Sequence, residues 1–263
     1  PKPPLLSSSA YLVQFMGDKD PILKKNEWKR MRPASITKLM TSLTAQKQLV
    51  PEISISMSSN AVGTEERTSH IPADESLPFQ DMLKLMLVAS ANDAAVALAE
   101  AAGRQRGAVT FDDAVRLFVA SMNDEAKKMG MTQTTFQNPS GLENVNHLTT
   151  ATDLFTMAEY IWRIYPHLWA MTREQKITVR TKNGTSYAFS TTNELLKDYP
   201  GLAGGKTGFT DEAQGTLMLL YPARYGTDSV RASRMSRIAV IVILGSDNRF
   251  EDGRKIIQWL DTL

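Results

Sequence analysis

The sequence predicts an α/β chain of the α+β kind, one sheet flanked by helices. Strand-like segments lie at both ends of the chain, and helical periodicity fills the middle. An Asn183-Gly184 pair separates two short β-rich runs, a hairpin signal. The 263 residues, 42% hydrophobic and 22% charged, are enough to bury a substantial globular core.

The opening Pro1-Lys2-Pro3-Pro4 is linker-like, and residues 1–9 are read as a linker. Residues 10–15 read as a strand, Gly17, Asp18 and Asp20 as a turn, and Ile22-Leu23 as the start of a second strand. Ile36, Leu39, Met40 and Leu43 recur at helical spacing, which predicts a helix over 34–49. A polar, irregular stretch runs to about Leu77. Pro78 suits the first turn of the next helix, which carries Met82, Leu83 and Met86. An Ala-rich helix follows Asn92 and stops near Gly103. Phe111, Val115, Phe118, Met122, Ala126 and Met129 form a helical stripe ending at Gly130. Thr150-Ala151-Thr152-Asp153 resembles a capping box with Asp in place of Glu, opening a helix to about Ile164.

The texture changes after Pro166. Ile177-Thr178-Val179 and Tyr187-Ala188-Phe189 flank Asn183-Gly184, where a type I′ turn is expected. Strands follow over 203–210, 216–221 and 238–244, and a helix with Ile256, Ile257 and Leu260 inward closes the chain over 250–263. Residues 10–263 are therefore expected to form a single catalytic domain, with a helical lobe of about 50–165 inserted between the strand-forming ends.

The 30 basic and 28 acidic residues nearly balance, which argues against a dedicated nucleic-acid binder, since no basic excess is present to neutralise phosphates. The absence of cysteine excludes disulfides, cysteine nucleophiles and thiolate metal sites. No apolar run approaches the roughly 18 residues that span a bilayer. The chain begins at Pro1 and is read as a mature or trimmed sequence, its signal peptide, if any, removed.

Three motifs could carry chemistry. In Ser35-Ile36-Thr37-Lys38, residues three apart share a helical face, so the lysine amine can reach the serine hydroxyl. A serine is a poor nucleophile until a base takes its proton, and a lysine neutralised by burial or by another cation can be that base. Alone, Ser-x-x-Lys arises about once by chance at this composition, and the reading of Ser35 as a plain helix cap is then the stronger one. In Ser90-Ala91-Asn92, the serine can relay a proton and the asparagine can hold a substrate amide, although taken alone a plain interhelical turn capped by Asn92 or Asp93 is the favoured reading. Lys206-Thr207-Gly208 follows Gly204-Gly205 in a strand whose glycines let a peptide come close as an added strand. Lys206 there supplies positive charge and Thr207 a hydroxyl for a carboxylate; the bland reading is a lysine near a bulge.

The order Ser-x-x-Lys, Ser-x-Asn, Lys-Thr-Gly is the signature of penicillin-recognising serine enzymes. The segments 33–41, 90–95 and 205–210 resemble those of low-molecular-mass penicillin-binding proteins of the serine D-alanyl-D-alanine carboxypeptidase/endopeptidase family. Phe136-x-Asn138-Pro139-x-Gly141-Leu142 and Thr150-Ala151-x-Asp153-Leu154 are similar to weaker family segments, and the resemblance runs from about Ala10 to Leu260. It implies the penicillin-binding-protein/β-lactamase-like transpeptidase fold, a mainly antiparallel sheet sandwiched by helices beside an all-helical lobe, with the cleft between them. It also implies Ser35 as nucleophile, Lys38 as its general base, Ser90 as proton carrier, Asn92 as holder of the substrate amide and Lys206 as a tuning charge. The N–H groups of Ser35 and Phe209 would form the oxyanion hole beside Gly208. Thr207 and, on spacing to Trp259, Arg249 would receive the substrate carboxylate. No cofactor and no metal is called for. The implied partners are peptidoglycan stem peptides ending in D-Ala-D-Ala and β-lactam antibiotics, met on the periplasmic or cell-wall side of a bacterial membrane. Membrane attachment would need segments outside this sequence.

Phe209 stands where many carboxypeptidases of the family carry His, and members with Phe include endopeptidase-like ones, so cleavage of D-Ala–diaminoacid cross-links is the alternative reading. A separate β-rich C-terminal domain, common in the family, is absent or trimmed, since the chain ends at Leu263 just after the closing helix. A class A β-lactamase needs Glu with Asn four positions later, whereas Glu143 is followed by Asn146 at three and His147 at four. A non-catalytic penicillin sensor is opposed by the intact Ser35, Lys38, Ser90, Asn92 and Lys206. His70, His147 and His167 lie in no Ser-His-Asp context and show no metal-ligand spacing. The long 222–236 stretch, with Arg224, Arg231 and Arg234, reads as a solvated loop, or else as a contact for anionic cell-wall polymer.

Overall fold

The computed structural model describes residues 1–223 and 237–263; the 222–236 stretch, with its three arginines, lies almost wholly outside the described residues. Strands β1 (Ala10–Phe15) and β2 (Leu23–Lys25) open the chain, followed by a short 3-10 turn (Ala34–Ile36) and α1 (Thr37–Gln48). Next come β3 (Ser54–Ser56), α2 (Ser59–Val62), β4 (Ser76–Pro78), α3 (Phe79–Val88), α4 (Asn92–Gln105), α5 (Phe111–Lys128), α6 (Ala151–Ile164) and α7 (Pro166–Met171). The last part holds β5 (Lys176–Arg180), β6 (Ser186–Ser190), α8 (Leu195–Asp198), β7 (Gly204–Thr210), β8 (Gln214–Ala223), β9 (Arg237–Ser246) and α9 (Arg249–Leu260).

The main sheet runs β2-β1-β9-β8-β7, every neighbouring pair antiparallel. Ala10 pairs with Leu244 and Phe15 with Ala239, so the two ends of the chain meet in the middle of the sheet. Strand alternation divides the core in two. Leu12, Met218, Leu220, Val240 and Val242 face the large cluster shared with α1, α3, α4 and α6. Val13, Phe15, Leu217, Leu219, Ile241 and Ile243 face Ile256, Ile257 and Leu260 of α9. The antiparallel sheet between helical layers, with α6 packed on β1 and β9 and helices α2 to α5 gathered beside it, is the architecture expected from the motifs. Strand β7 is left at one edge, facing the cleft.

Some local expectations are corrected. Pro78 does not sit in the first turn of α3; it closes β4 opposite Ser54 and caps the helix from outside. The irregular stretch before it holds the short β3–β4 pair and α2. The Asn183-Gly184 turn is not type I′, because only Gly184 has a positive φ (98°). Gly184 N–H donates to Thr181 O at 2.9 Å and Thr181 N–H to Thr185 O at 2.9 Å. Lys182 and Asn183 are thus the central pair of an ordinary turn, and Gly184 takes the left-handed position after it. Asn183 is held there by bonds to Thr181 and Glu75. Only half of a capping box forms at α6: the Thr150 hydroxyl accepts from Asp153 N–H, while the Asp153 carboxylate turns to Gln133 N–H and the Thr134 hydroxyl.

Candidate active site

Ser35 sits in the 3-10 turn ahead of α1, and that turn is strained. Ala34 has φ of 47°, a left-handed conformation costing an alanine about 1–2 kcal/mol. Neighbours hold it. The Thr216 hydroxyl donates to Pro33 O at 3.0 Å. A Cβ on Gly141 would lie 1.9 Å from Ala34 O, so only glycine lets that loop close on the turn. A Cβ on Gly208 would lie 2.7 Å from Ser35 N and 2.4 Å from the Thr216 hydroxyl, so a bare backbone is also what lets β7 approach the serine.

One helical turn on, the Lys38 side chain is fully buried. Its Nζ lies 2.7 Å from Ser35 Oγ, 2.7 Å from Asn92 Oδ1 and 2.8 Å from Ser140 O. Asn92, at the start of α4, is fixed in orientation because its Nδ2 donates to Glu66 O at 3.0 Å. Ser90 lies in the α3–α4 connection, with φ of 60°, a second left-handed non-glycine residue at the cleft. Lys206 of β7 is also buried; its Nζ donates to Ser90 Oγ at 2.8 Å and to Thr207 O at 2.9 Å. The structure therefore brings together Ser35, Lys38, Ser90, Asn92, Lys206 and Gly208, drawn from three separate segments of the chain.

Burial, and then the charge of Lys206, push the Lys38 pKa well below the usual lysine range; Glu66 and Asp93 oppose this in part. Burial, followed by the charge of Arg249, lowers Lys206 to about 7. Two buried cations in one cleft disfavour each other's protonation, so at neutral pH the pair holds fewer than two protons.

The remaining predicted residues lie on β7 and at the start of α9. The Thr207 hydroxyl is 2.6 Å from that of Thr192, and Phe209 is half exposed. Arg249, the first residue of α9, places its guanidinium carbon 5.8 Å from the Phe209 ring centre and 4.5 Å from that of Phe250. Its Nε is buried without a hydrogen-bond partner among the described residues. Arg249, singled out by its spacing to Trp259, thus stands beside Phe209 of β7.

Sequence reading missed the Ser140 carbonyl, the Glu66 carbonyl and Thr192. The Asn138-Pro139-x-Gly141 run carried the signal for Ser140. Asn138 Oδ1 accepts from the N–H groups of Ser140 and Gly141, and the Thr41 hydroxyl donates to Pro139 O at 2.6 Å, which fixes the loop against α1. His147 is a strut of the same loop. Its Nδ1 accepts from Gln137 N–H, which leaves the proton on Nε2 to donate to the Thr37 hydroxyl at 2.9 Å. Burial lowers its pKa to about 4, so it stays neutral.

Residues 3–227 match the peptidase S11 family, D-alanyl-D-alanine carboxypeptidase, and the chain belongs to that family. Among similar proteins, D-alanyl-D-alanine carboxypeptidase DacF of Bacillus subtilis is 31% identical over 246 residues, 91% of this chain and 58% of the relative. The chain thus spans less than two thirds of that relative's length. D-alanyl-D-alanine endopeptidase of Pseudomonas aeruginosa is 30% identical over 237 residues, 87% of this chain and 69% of the relative. The fold is that of the Streptomyces K15 DD-transpeptidase, with a TM-score of 0.86 at 23% identity and 100% of both chains covered. No helix among the described residues is long and apolar enough to cross a membrane.

Proposed function

We propose that the chain is a serine D,D-carboxypeptidase that removes the terminal D-Ala from peptidoglycan stem peptides through an acyl-enzyme, and that β-lactams acylate the same serine. The proposal includes residues 10–263 acting as one catalytic unit on the outer side of a bacterial cytoplasmic membrane.

The observation that carries this reading is the set of partners around Lys38. A neutral amine has two N–H donors and one lone pair. Asn92 Oδ1 and Ser140 O can only accept, so they take both donors. The lone pair is left for the third neighbour, the Ser35 hydroxyl at 2.7 Å. Lys38 thus acts as general base while Ser35 Oγ attacks the carbonyl of the penultimate D-Ala. The N–H groups of Ser35 and Phe209 receive the oxyanion, in the close approach that Gly208 allows. Ser90, bonded to Lys206, carries the proton to the departing amine of the terminal D-Ala. Thr207 and Arg249 hold its carboxylate. Water then attacks the ester, again with Lys38 as base, and Ser35 is regenerated.

A second reading uses the same machinery on D-Ala–diaminoacid cross-links. Half-exposed Phe209 near the end of β7 favours it, since an aromatic rim can receive a bulkier leaving group. The similarity to the Pseudomonas aeruginosa endopeptidase points the same way. Incubation with purified muropeptides separates the two: free D-Ala supports the carboxypeptidase, split dimers the endopeptidase. Mass spectrometry after penicillin treatment is expected to show one drug mass on the Ser35 peptide, persisting for minutes because the tethered leaving group blocks water. An adduct elsewhere, or none, removes Ser35 as nucleophile.

A further inference from the structure

Three segments that present the chemistry each carry, three residues away, a charged side chain, and these three meet. Arg32 lies three before Ser35, Glu143 three after Ser140, and Glu212 three after Phe209. Arg32 Nε is 3.3 Å from Glu143 Oε2, and Arg32 Nη2 is 3.4 Å from Glu212 Oε2. The two acidic segments are joined directly as well, because Glu212 N–H donates to Glu143 Oε1 at 3.1 Å. The Nε contact is a charge contact without hydrogen-bond alignment, as Nε is buried with no hydrogen-bond partner among the described residues.

We propose that Arg32 is a positioning residue: with Glu143 and Glu212 it clamps the strained turn that presents Ser35 to the loop that presents the Ser140 carbonyl and to the end of β7 that presents the Phe209 N–H. This rests on the D,D-peptidase reading and deepens it. The left-handed Ala34 persists only while its surroundings over-determine it. Thr216, Gly141 and Gly208 fix the turn from inside, by a hydrogen bond and by close packing. Arg32 supplies the outer restraint. It bridges the two sides of the gap in which an oxyanion would sit, since the Ser35 N–H belongs to the turn and the Phe209 N–H to β7. A gap between two donors is sensitive to displacements well under 1 Å, because donor alignment with the developing charge is what stabilises the transition state. The clamp also accounts for Glu143. Its carboxylate is taken up by Arg32 and the Glu212 N–H and is not left as a base for water.

Ion pairs this exposed contribute little to stability, so the clamp predicts an effect on rate without a matching effect on folding. Stopped-flow acylation by a penicillin, over a range of drug concentrations, separates the dissociation constant from the saturating rate constant. Arg32→Gln is expected to lower the saturating constant about 10-fold, to leave the dissociation constant within about twofold, and to keep Tm within a few degrees. Arg32→Lys, which retains the charge without the fork, falls between. Glu212→Gln, a change in an exposed turn that does not threaten folding, lowers the same constant by a smaller factor. Combined with Arg32→Gln it adds less than its separate effect, because both break one contact. An unchanged saturating constant, a loss confined to the dissociation constant, a loss that follows Tm, or full additivity overturns the clamp. A wild-type protein that forms no covalent adduct overturns the parent reading and this one with it, an outcome distinct from an adduct that forms equally fast in all variants.

Discussion

Lys38 and Lys206 are both buried, both lowered in pKa and both bonded to a serine hydroxyl, yet the regions that hold them differ. Around α1, separate segments converge on one amine: the turn at Ser35, the start of α4 at Asn92 and the 138–142 loop at Ser140. Along β7, an edge strand that also carries the half-exposed Phe209, the lysine meets its own chain at Thr207 O and one interhelical residue, Ser90. Burial alone therefore does not choose the base. In the mechanism proposed above the choice is made by acceptors that use up the N–H donors of Lys38 and leave its lone pair facing Ser35, while the charge of Lys206 lowers the Lys38 pKa further.

Deleting each lysine breaks the comparison most severely. Lys38→Ala is expected to slow acylation on the order of 10²-fold or more, the usual cost of losing a general base. Lys206→Ala is expected to cost about tenfold, through a different route. Without the Lys206 charge the Lys38 pKa rises, so less of the base is neutral at pH 7. The step in the wild-type pH profile near 7, where Lys206 titrates, is expected to vanish in that variant. Stopped-flow acylation from pH 5 to 9 checks both, and a Lys206→Ala loss equal to that of Lys38→Ala, with an unmoved profile, would reverse the two roles.

Next in size is Arg249, which sharpens what the β7 side does. If Arg249 holds the substrate carboxylate as proposed, Arg249→Ala is expected to be roughly tenfold more damaging for a peptide with a free C-terminus than for its ester. Steady-state kinetics on the pair of substrates measures this, and equal losses place Arg249 outside the carboxylate site.

The smallest effect on rate belongs to His147, on the α1 side, where the readout is stability. Its folded pKa is about 4 against an ordinary value of 6.5. As pH falls below 6.5 the unfolded chain takes up this proton first, so stability is lost between about 6.5 and 4 and is level outside that window. The loss amounts to at most roughly 3 kcal/mol from this group. Urea unfolding of wild type and His147→Gln at pH 7 and pH 4.5 isolates it: the variant is expected to lose less stability on acidification. Parallel losses in the two proteins would mean that the imidazole is protonated without cost.

Much of this was legible in one dimension. The stripe from Phe111 to Met129 ends at Gly130 and becomes α5, with Gly130 at φ of 83°. The three motifs named Ser35, Lys38, Ser90, Asn92 and Lys206, because short local patterns report which residue types share a helix face, a turn or a strand. Local patterns also misread the Asn183-Gly184 turn, where the choice between two hairpin geometries was made by side-chain bonds to Thr181 and Glu75. The left-handed Ala34, the Ser140 carbonyl on Lys38, the buried His147 and the Arg32 clamp were decided only in three dimensions. Lys38 reaches Asn92 across 54 residues and Ser140 across 102, and Lys206 reaches Ser90 across 116. Periodicity sees only neighbours, whereas the removal of water from two lysines, which lowers the pKa of both, requires all of these distant segments to close around them at once.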